Sequence, residues 1–107
     1  MEARKRHVKN YLSPDGEDCF QEWLRRVRDS QATRAVRIRI NRLYDGNFGD
    51  CKSVGDGVHE LRIDVGQGYR VYIGSDGDDV ILLGGSTKGD QDAQIKTAKS
   101  RWEEYNA

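Results

Sequence analysis

The chain has 107 residues, 36% hydrophobic and 34% charged, with Lys+Arg and Asp+Glu equal in number and a formal net charge of zero. That length supports one hydrophobic core and leaves no room for a second domain, so residues 1–107 are read as a single domain. No apolar run approaches the roughly 20 residues of a membrane span, and no signal-peptide segment follows Met1-Glu2-Ala3-Arg4-Lys5-Arg6. A cytoplasmic address with no membrane partner is therefore expected.

The zero net charge conceals an asymmetry. The basic excess lies in the first half, in Arg25, Arg26, Arg28, Arg34, Arg37, Arg39 and Arg42, while the second half is net acidic. Such a run is either the solvated face of two helices or a phosphate-contacting patch, in which Arg34, Arg37 and Arg42 are candidate RNA contacts. The two cysteines, Cys19 and Cys51, provide neither zinc-ligand spacing nor a disulfide framework and are read as reduced. No metal or cofactor is expected.

Taken in chain order, Arg4 to Leu12 carries Val8 and Tyr11 in loose alternation and predicts a first strand. Ser13-Pro14-Asp15-Gly16-Glu17 has a helix-start composition, with Ser13 as N-cap and Pro14 at the first helical position. Phe20, Trp23, Leu24 and Val27 then form one apolar stripe on a helix running to about Asp29. A second helix from about Gln31 buries Ala32, Val36, Ile40 and Leu43 and stops at Gly46, giving a helical hairpin with its arginines outward. Asn47 to Gly57 reads as a polar connection. Three strands follow, Val58 to Ile63, Tyr69 to Gly74 and Asp79 to Gly85, joined by short turn-rich spacers as an antiparallel meander. Asp90 to Tyr105 closes the chain as an amphipathic helix bearing Ile95, Ala98, Trp102 and Tyr105. The order β-α-α-β-β-β-α predicts an α+β domain, an antiparallel sheet with an N-terminal helical hairpin and a C-terminal helix.

Register concentrates the chemistry. Pairing Leu61 with Val71 places Arg62 opposite Arg70, and pairing Ile73 with Val80 puts Leu61, Ile63, Tyr69, Val71, Ile73, Val80 and Leu82 on the core face. Glu60, Arg62, Arg70 and Tyr72 then share the other face, and Lys88 lies just past the neighbouring strand. Two facing arginines are unfavourable without an anion between them, and a polyanion such as RNA would supply it. Phosphodiester cleavage in RNA needs a base for the 2′-hydroxyl, cations for the phosphorane and an acid for the leaving 5′-oxygen. Arg62 and Arg70 suit the second task, Lys88 the second or third, and Tyr69 or Tyr72 could stack on a base. Glu60 is either the base or the counter-ion that holds the arginines. His59 points to the opposite face by alternation. The competing reading is a cross-strand Glu-Arg network on an exposed sheet face. Trp23 and Trp102 sit on helical apolar stripes and read as core residues.

At these residues a resemblance becomes specific. Gly57-Val58-His59-Glu60-Leu61-Arg62-Ile63-Asp64, Gly66-Gln67-Gly68-Tyr69-Arg70-Val71-Tyr72 and Leu82-Leu83-Gly84-Gly85 with Lys88 to Gln91 resemble the RelE/ParE toxin superfamily. Within it, the phage-derived Gp49-like or HigB-like addiction-module killer proteins are the most similar branch. The Trp23-Leu24 helix and Leu43-Tyr44-Asp45-Gly46-Asn47-Phe48-Gly49 extend the likeness over nearly the whole chain. The resemblance implies a RelE-like fold and a type II toxin that cleaves messenger RNA in the ribosome, without a metal, by attack of the 2′-hydroxyl on its own phosphate. It implies active-site roles for Arg70 and Lys88 and a basic position at Arg62. It also implies partners: the ribosome and mRNA, and a cognate antitoxin, commonly a helix-turn-helix HigA-like protein. Gln91 and Asp92 stand where several members that cut RNA carry a tyrosine or histidine. The alternatives are a ParE-like inhibitor of DNA gyrase and a non-catalytic relative that only binds an antitoxin.

Overall fold

The computed structural model describes residues 4–107; Met1 to Ala3, the start of the basic N-terminal run, lie outside the described residues. Strand β1 (His7–Asn10) leads to helices α1 (Cys19–Arg26) and α2 (Ser30–Leu43). Strands β2 (Cys51–Gly55), β3 (Val58–Ile63), β4 (Tyr69–Asp76) and β5 (Asp79–Thr87) follow, then a single 3-10 turn (Lys88–Asp90) and helix α3 (Gln91–Tyr105). The predicted α+β order is present, with one additional strand, β2. The sheet has five strands in the order β1-β5-β4-β3-β2. It is mixed, because β1 runs parallel to β5 while the other neighbours are antiparallel.

Helices cover both faces of this sheet. On one side Phe20 and Leu24 of α1 and Ala32, Val36 and Leu43 of α2 pack on Leu61, Ile63, Tyr69, Val71, Ile73, Val80 and Leu82. These are the strand residues that alternation assigned to the core. On the other side Ala98 and Trp102 of α3 close over Val58, Tyr72, Ile81 and Leu83, with Tyr11 beside them. Two glycines admit the tryptophans: a Cβ on Gly85 would overlap the Trp23 ring, and one on Gly74 would overlap Trp102. Each indole therefore lies directly on the sheet, from opposite faces.

Several local expectations are corrected. Ser13 and Pro14 do not start the helix. Gly16, at φ +83°, donates its amide to Ser13 O at 2.8 Å, and the tight turn this closes delays helical backbone until Cys19. Asp18 is the N-cap instead, its Oδ1 accepting from Gln21 N at 3.0 Å. Asp29 caps α2 likewise, accepting from Gln31 N and Ala32 N. The segment read as a polar connection contains β2, whose residues pair with His59 to Leu61 and pass through an irregularity between Ser53 and Gly55. Ile73 pairs with Leu82 rather than Val80, since the turn between Asp76 and Asp79 is only Gly77-Asp78 and draws two more residues into β4. A slip of two keeps every side chain on its face. A bulge then leaves Leu83 as the extra residue between Leu82 and Gly84, and Gly84, at φ +151°, takes the backbone conformation it requires.

The predicted outward arginines are exposed at 25, 26, 28, 34, 37 and 42. Arg39 turns inward. Its guanidinium donates to the carbonyls of Arg62 (2.6 Å), Phe48 (2.9 Å) and Asp50 (3.0 Å), stapling the loop before β2 onto β3. Burial lowers its pKa.

Candidate active site

The hairpin of β3 and β4 pairs Arg62 with Arg70, Leu61 with Val71 and Glu60 with Tyr72, the register read from sequence. Opposite β4 on its other side, β5 sets Ser86 beside Arg70 and Gly84 beside Tyr72. Glu60, Arg70, Tyr72 and Ser86 thus converge on the sheet face under α3. All four are buried, Glu60 completely. The face is consequently an interior layer and not the exposed sheet surface of the competing reading.

Within it, Glu60 Oε1 lies 3.6 Å from Arg70 Nε. Those two buried atoms have no hydrogen-bond partner, so their attraction is Coulombic. Glu60 Oε2 accepts a 2.6 Å hydrogen bond from Gln91 Nε2, at the first residue of α3. Arg70 Nη1 donates to its neighbour's carbonyl, Tyr69 O, at 2.9 Å and stands 3.7 Å from Asp64 Oδ1. The Tyr72 hydroxyl and Ser86 Oγ are 2.9 Å apart. Burial, with a smaller push from the Glu60 charge, raises the Tyr72 phenol to about 12, so it stays protonated at neutral pH.

Arg62 leaves this layer. Its Nε and Nη2 donate to Asp50 Oδ1 at 3.1 and 2.8 Å, in a half-exposed pair that raises the guanidinium pKa further. The facing arginines therefore do not await an external anion, as the register argument supposed. Asp50 neutralises one, and Glu60 with Asp64 the other.

Lys88 is exposed in the 3-10 turn that follows β5. Its backbone amide donates to Gly68 O at 3.0 Å. A Cβ on Gly68 would sit 3.3 Å from Lys88 Cβ, 3.6 Å from Lys88 Cδ and 4.0 Å from Arg70 Nη1. Gly68 is thus the gap across which the Lys88 stem and the Arg70 guanidinium approach one another. A cleft of about 400 Å³ begins at Lys88 and runs past Asp90, Gln91 and Asp92.

The structure brings Glu60, Arg70, Tyr72 and Lys88 to one end of the sheet and sets Arg62 at its margin. Arg34, Arg37 and Arg42 belong to α2, which packs on the opposite face. Four partners escaped the sequence reading: Ser86, Gln91, Asp50 and Asp64. Strict alternation from Val80 and Leu82 assigns Ser86 to the core face, and only the bulge at Leu83 turns it toward Arg70 and Tyr72. Gln91, Asp50 and Asp64 meet their partners only through tertiary packing. Among the described residues, no three His, Cys, Asp or Glu side chains are grouped to hold a metal ion. No helix among them is long and apolar enough to cross a membrane.

Fold and site together define an α+β domain with a buried Glu-Arg-Tyr-Ser layer and an exposed lysine just past the end of β5. The chain belongs to the same family as an uncharacterized protein of Haemophilus influenzae, 53% identical over 81 residues that span 75% of this chain and 82% of that one. No family model matches.

Proposed function

We propose that this protein is the toxin of a type II toxin–antitoxin system, a HigB-like member of the RelE/ParE superfamily that cuts messenger RNA on the ribosome in the cytoplasm. The observation that carries the reading is the approach of Lys88 and Arg70 across Gly68, with Arg70 backed by a buried carboxylate. Two cationic side chains flanking one glycine suit a phosphate whose charge rises during reaction. The 2′-oxygen attacks its own phosphorus and releases its proton to water, and the bond to the 5′-oxygen breaks as that oxygen takes a proton from the Lys88 ammonium. The products are a 2′,3′-cyclic phosphate and a 5′-hydroxyl. Arg70 and Lys88 hold the phosphorane, and Lys88, the exposed cation, serves the leaving oxygen. Glu60 has no exposed surface, so it fixes Arg70 instead of taking a proton from substrate. Tyr72, bonded to Ser86, holds β4 against β5 and does not stack on a base. The partners of this reading are mRNA, the ribosome and a helix-turn-helix antitoxin.

Purified ribosomes translating a defined message test this directly. Wild-type protein should cut the message, and Lys88→Ala should cut at least tenfold more slowly with an unchanged melting temperature, because the side chain is exposed. A folded wild-type protein that leaves the message intact would refute the assignment. The burial of Arg70 and Tyr72 favours one second reading, a relative that binds an antitoxin without catalysis. That reading predicts no growth arrest on expression alongside retained complex formation.

A further inference from the structure

A second feature lies on the opposite side of β5 from the buried layer. Trp23 of α1 rests on Gly85 and is half-buried, unlike Trp102, which is 9% exposed and stacked on Tyr105. Trp23 lines a groove of about 470 Å³ with Arg26, Arg28, Gln67 and Thr87. A second cleft of about 180 Å³ shares Trp23, Arg26 and Thr87 with it and adds Ser86 and Arg101. That cleft in turn shares Asp90 with the one that begins at Lys88. The three adjoin through these shared residues and mark a track from α1 around the end of β5 to Lys88.

The charges along this track are unevenly satisfied. Arg101, in the second cleft, donates to Leu83 O at 2.8 Å, and outside the clefts Arg25 pairs with Glu22 and Arg62 with Asp50. Arg26 and Arg28 are exposed, and among the described residues neither side chain has an ion pair or a hydrogen bond. Asp29, the acid in the groove wall, directs Oδ1 to the amides that begin α2. An indole held flat on a glycine, flanked by two unpaired guanidinium groups and leading to Lys88, matches what single-stranded nucleic acid requires. The indole offers a stacking platform, and the arginines offer phosphate contacts.

The geometry points to the Trp23–Arg26–Arg28 groove as a binding site for single-stranded RNA, with one base on Trp23 and the flanking phosphates on the arginines. The choice of RNA rests on the endoribonuclease reading, and the groove extends the path of that substrate away from the scissile phosphate.

A short 2′-O-methylated single-stranded oligonucleotide, which cannot be cleaved by 2′-hydroxyl attack, tests the groove in the full-length protein. Binding is read by anisotropy of a labelled oligonucleotide and by indole fluorescence. The oligonucleotide should quench wild-type fluorescence, and the quench should vanish in Trp23→Phe while affinity falls about tenfold. Arg26→Ala and Arg28→Ala should each weaken binding and lower the slope of log affinity against log salt by about 0.7. Wild-type affinity in all three variants would overturn the proposal, as would equal quenching by polyglutamate of the same charge. The two readings fail separately. Trp23 quenching without message cleavage on ribosomes leaves the groove standing and removes the nuclease. Cleavage with Trp23→Phe and both arginine variants behaving as wild type removes the groove alone.

Discussion

Glu60→Ala is the most informative single perturbation of the interior. It removes the buried partner of Arg70, whose side chain is only 7% exposed. What Arg70 keeps is the hydrogen bond to Tyr69 O and the 3.7 Å approach to Asp64, a carboxylate whose side chain is 77% exposed and therefore screened. Stripping one member from a buried ion pair costs about 3–5 kcal/mol. The 3.6 Å spacing without a hydrogen bond puts this pair at about 3 kcal/mol, the low end of that range. Gln91 Nε2 loses its acceptor as well, adding about 1 kcal/mol. A total near 4 kcal/mol is a large part of the ~5–15 kcal/mol that stabilises a domain of this size. Glu60→Gln keeps the volume and an acceptor for Gln91, so its cost should be about 1–2 kcal/mol. Urea unfolding at pH 7 with a constant slope measures both, and the Glu60→Ala, Arg70→Ala double variant should cost less than the sum of the singles. If Glu60→Ala lies within about 1 kcal/mol of wild type, the buried pair is not what holds Arg70.

Raising the Tyr72 phenol to about 12 has an alkaline consequence. Above pH 10 the unfolded chain releases this proton while the folded one keeps it, so the contribution is complete below pH 10 and is lost as pH climbs toward 12, at about 2–3 kcal/mol. Denaturation at pH 9 and pH 11 compares the two, and phenolate absorbance should show Tyr72 titrating only with unfolding. Gly74→Ala should cost about 1–3 kcal/mol by driving Trp102 off the sheet, read as a lowered urea midpoint and a red-shifted indole emission. Arg39→Ala removes three hydrogen bonds to carbonyls and should speed hydrogen exchange at the Arg62 amide, which donates to Asp50 O, ahead of the β4 amides.

Much of the site was legible because apolar residues alternating with charged and polar ones fix which face each strand residue takes, even where both faces are buried. Tyr69, Val71 and Ile73 against Arg70 and Tyr72 left pairings two residues apart that kept both faces consistent, and the short turn from Asp64 to Gly68 selected the one with Arg62 opposite Arg70. The same logic tolerated a two-residue slip at Ile73, since parity cannot distinguish Val80 from Leu82. Cys51 to Gly55 has no apolar alternation of its own and becomes a strand by pairing with β3, so it carried no local signal. The helix start misled because Ser13-Pro14 has the composition of a cap, yet Gly16 turns the chain before helical backbone begins. Least visible was the cover that α3 lays over Glu60, Arg70 and Tyr72. Trp102 and Ala98 disclosed an amphipathic helix but not which sheet face it meets, and the Gln91 to Glu60 bond exists only once it does. The supposed need for an external anion at Arg62 disappeared for the same reason, with Asp50 supplied from a segment read as a loop.

The central claim is that this fold cuts mRNA during translation, and mapping of message 5′ ends after brief expression tests it most directly. The account predicts new 5′-hydroxyl ends within translated codons, absent from untranslated messages and strongly reduced with Lys88→Ala. Growth arrest with intact messages, or unchanged ends in the presence of folded protein, would contradict it.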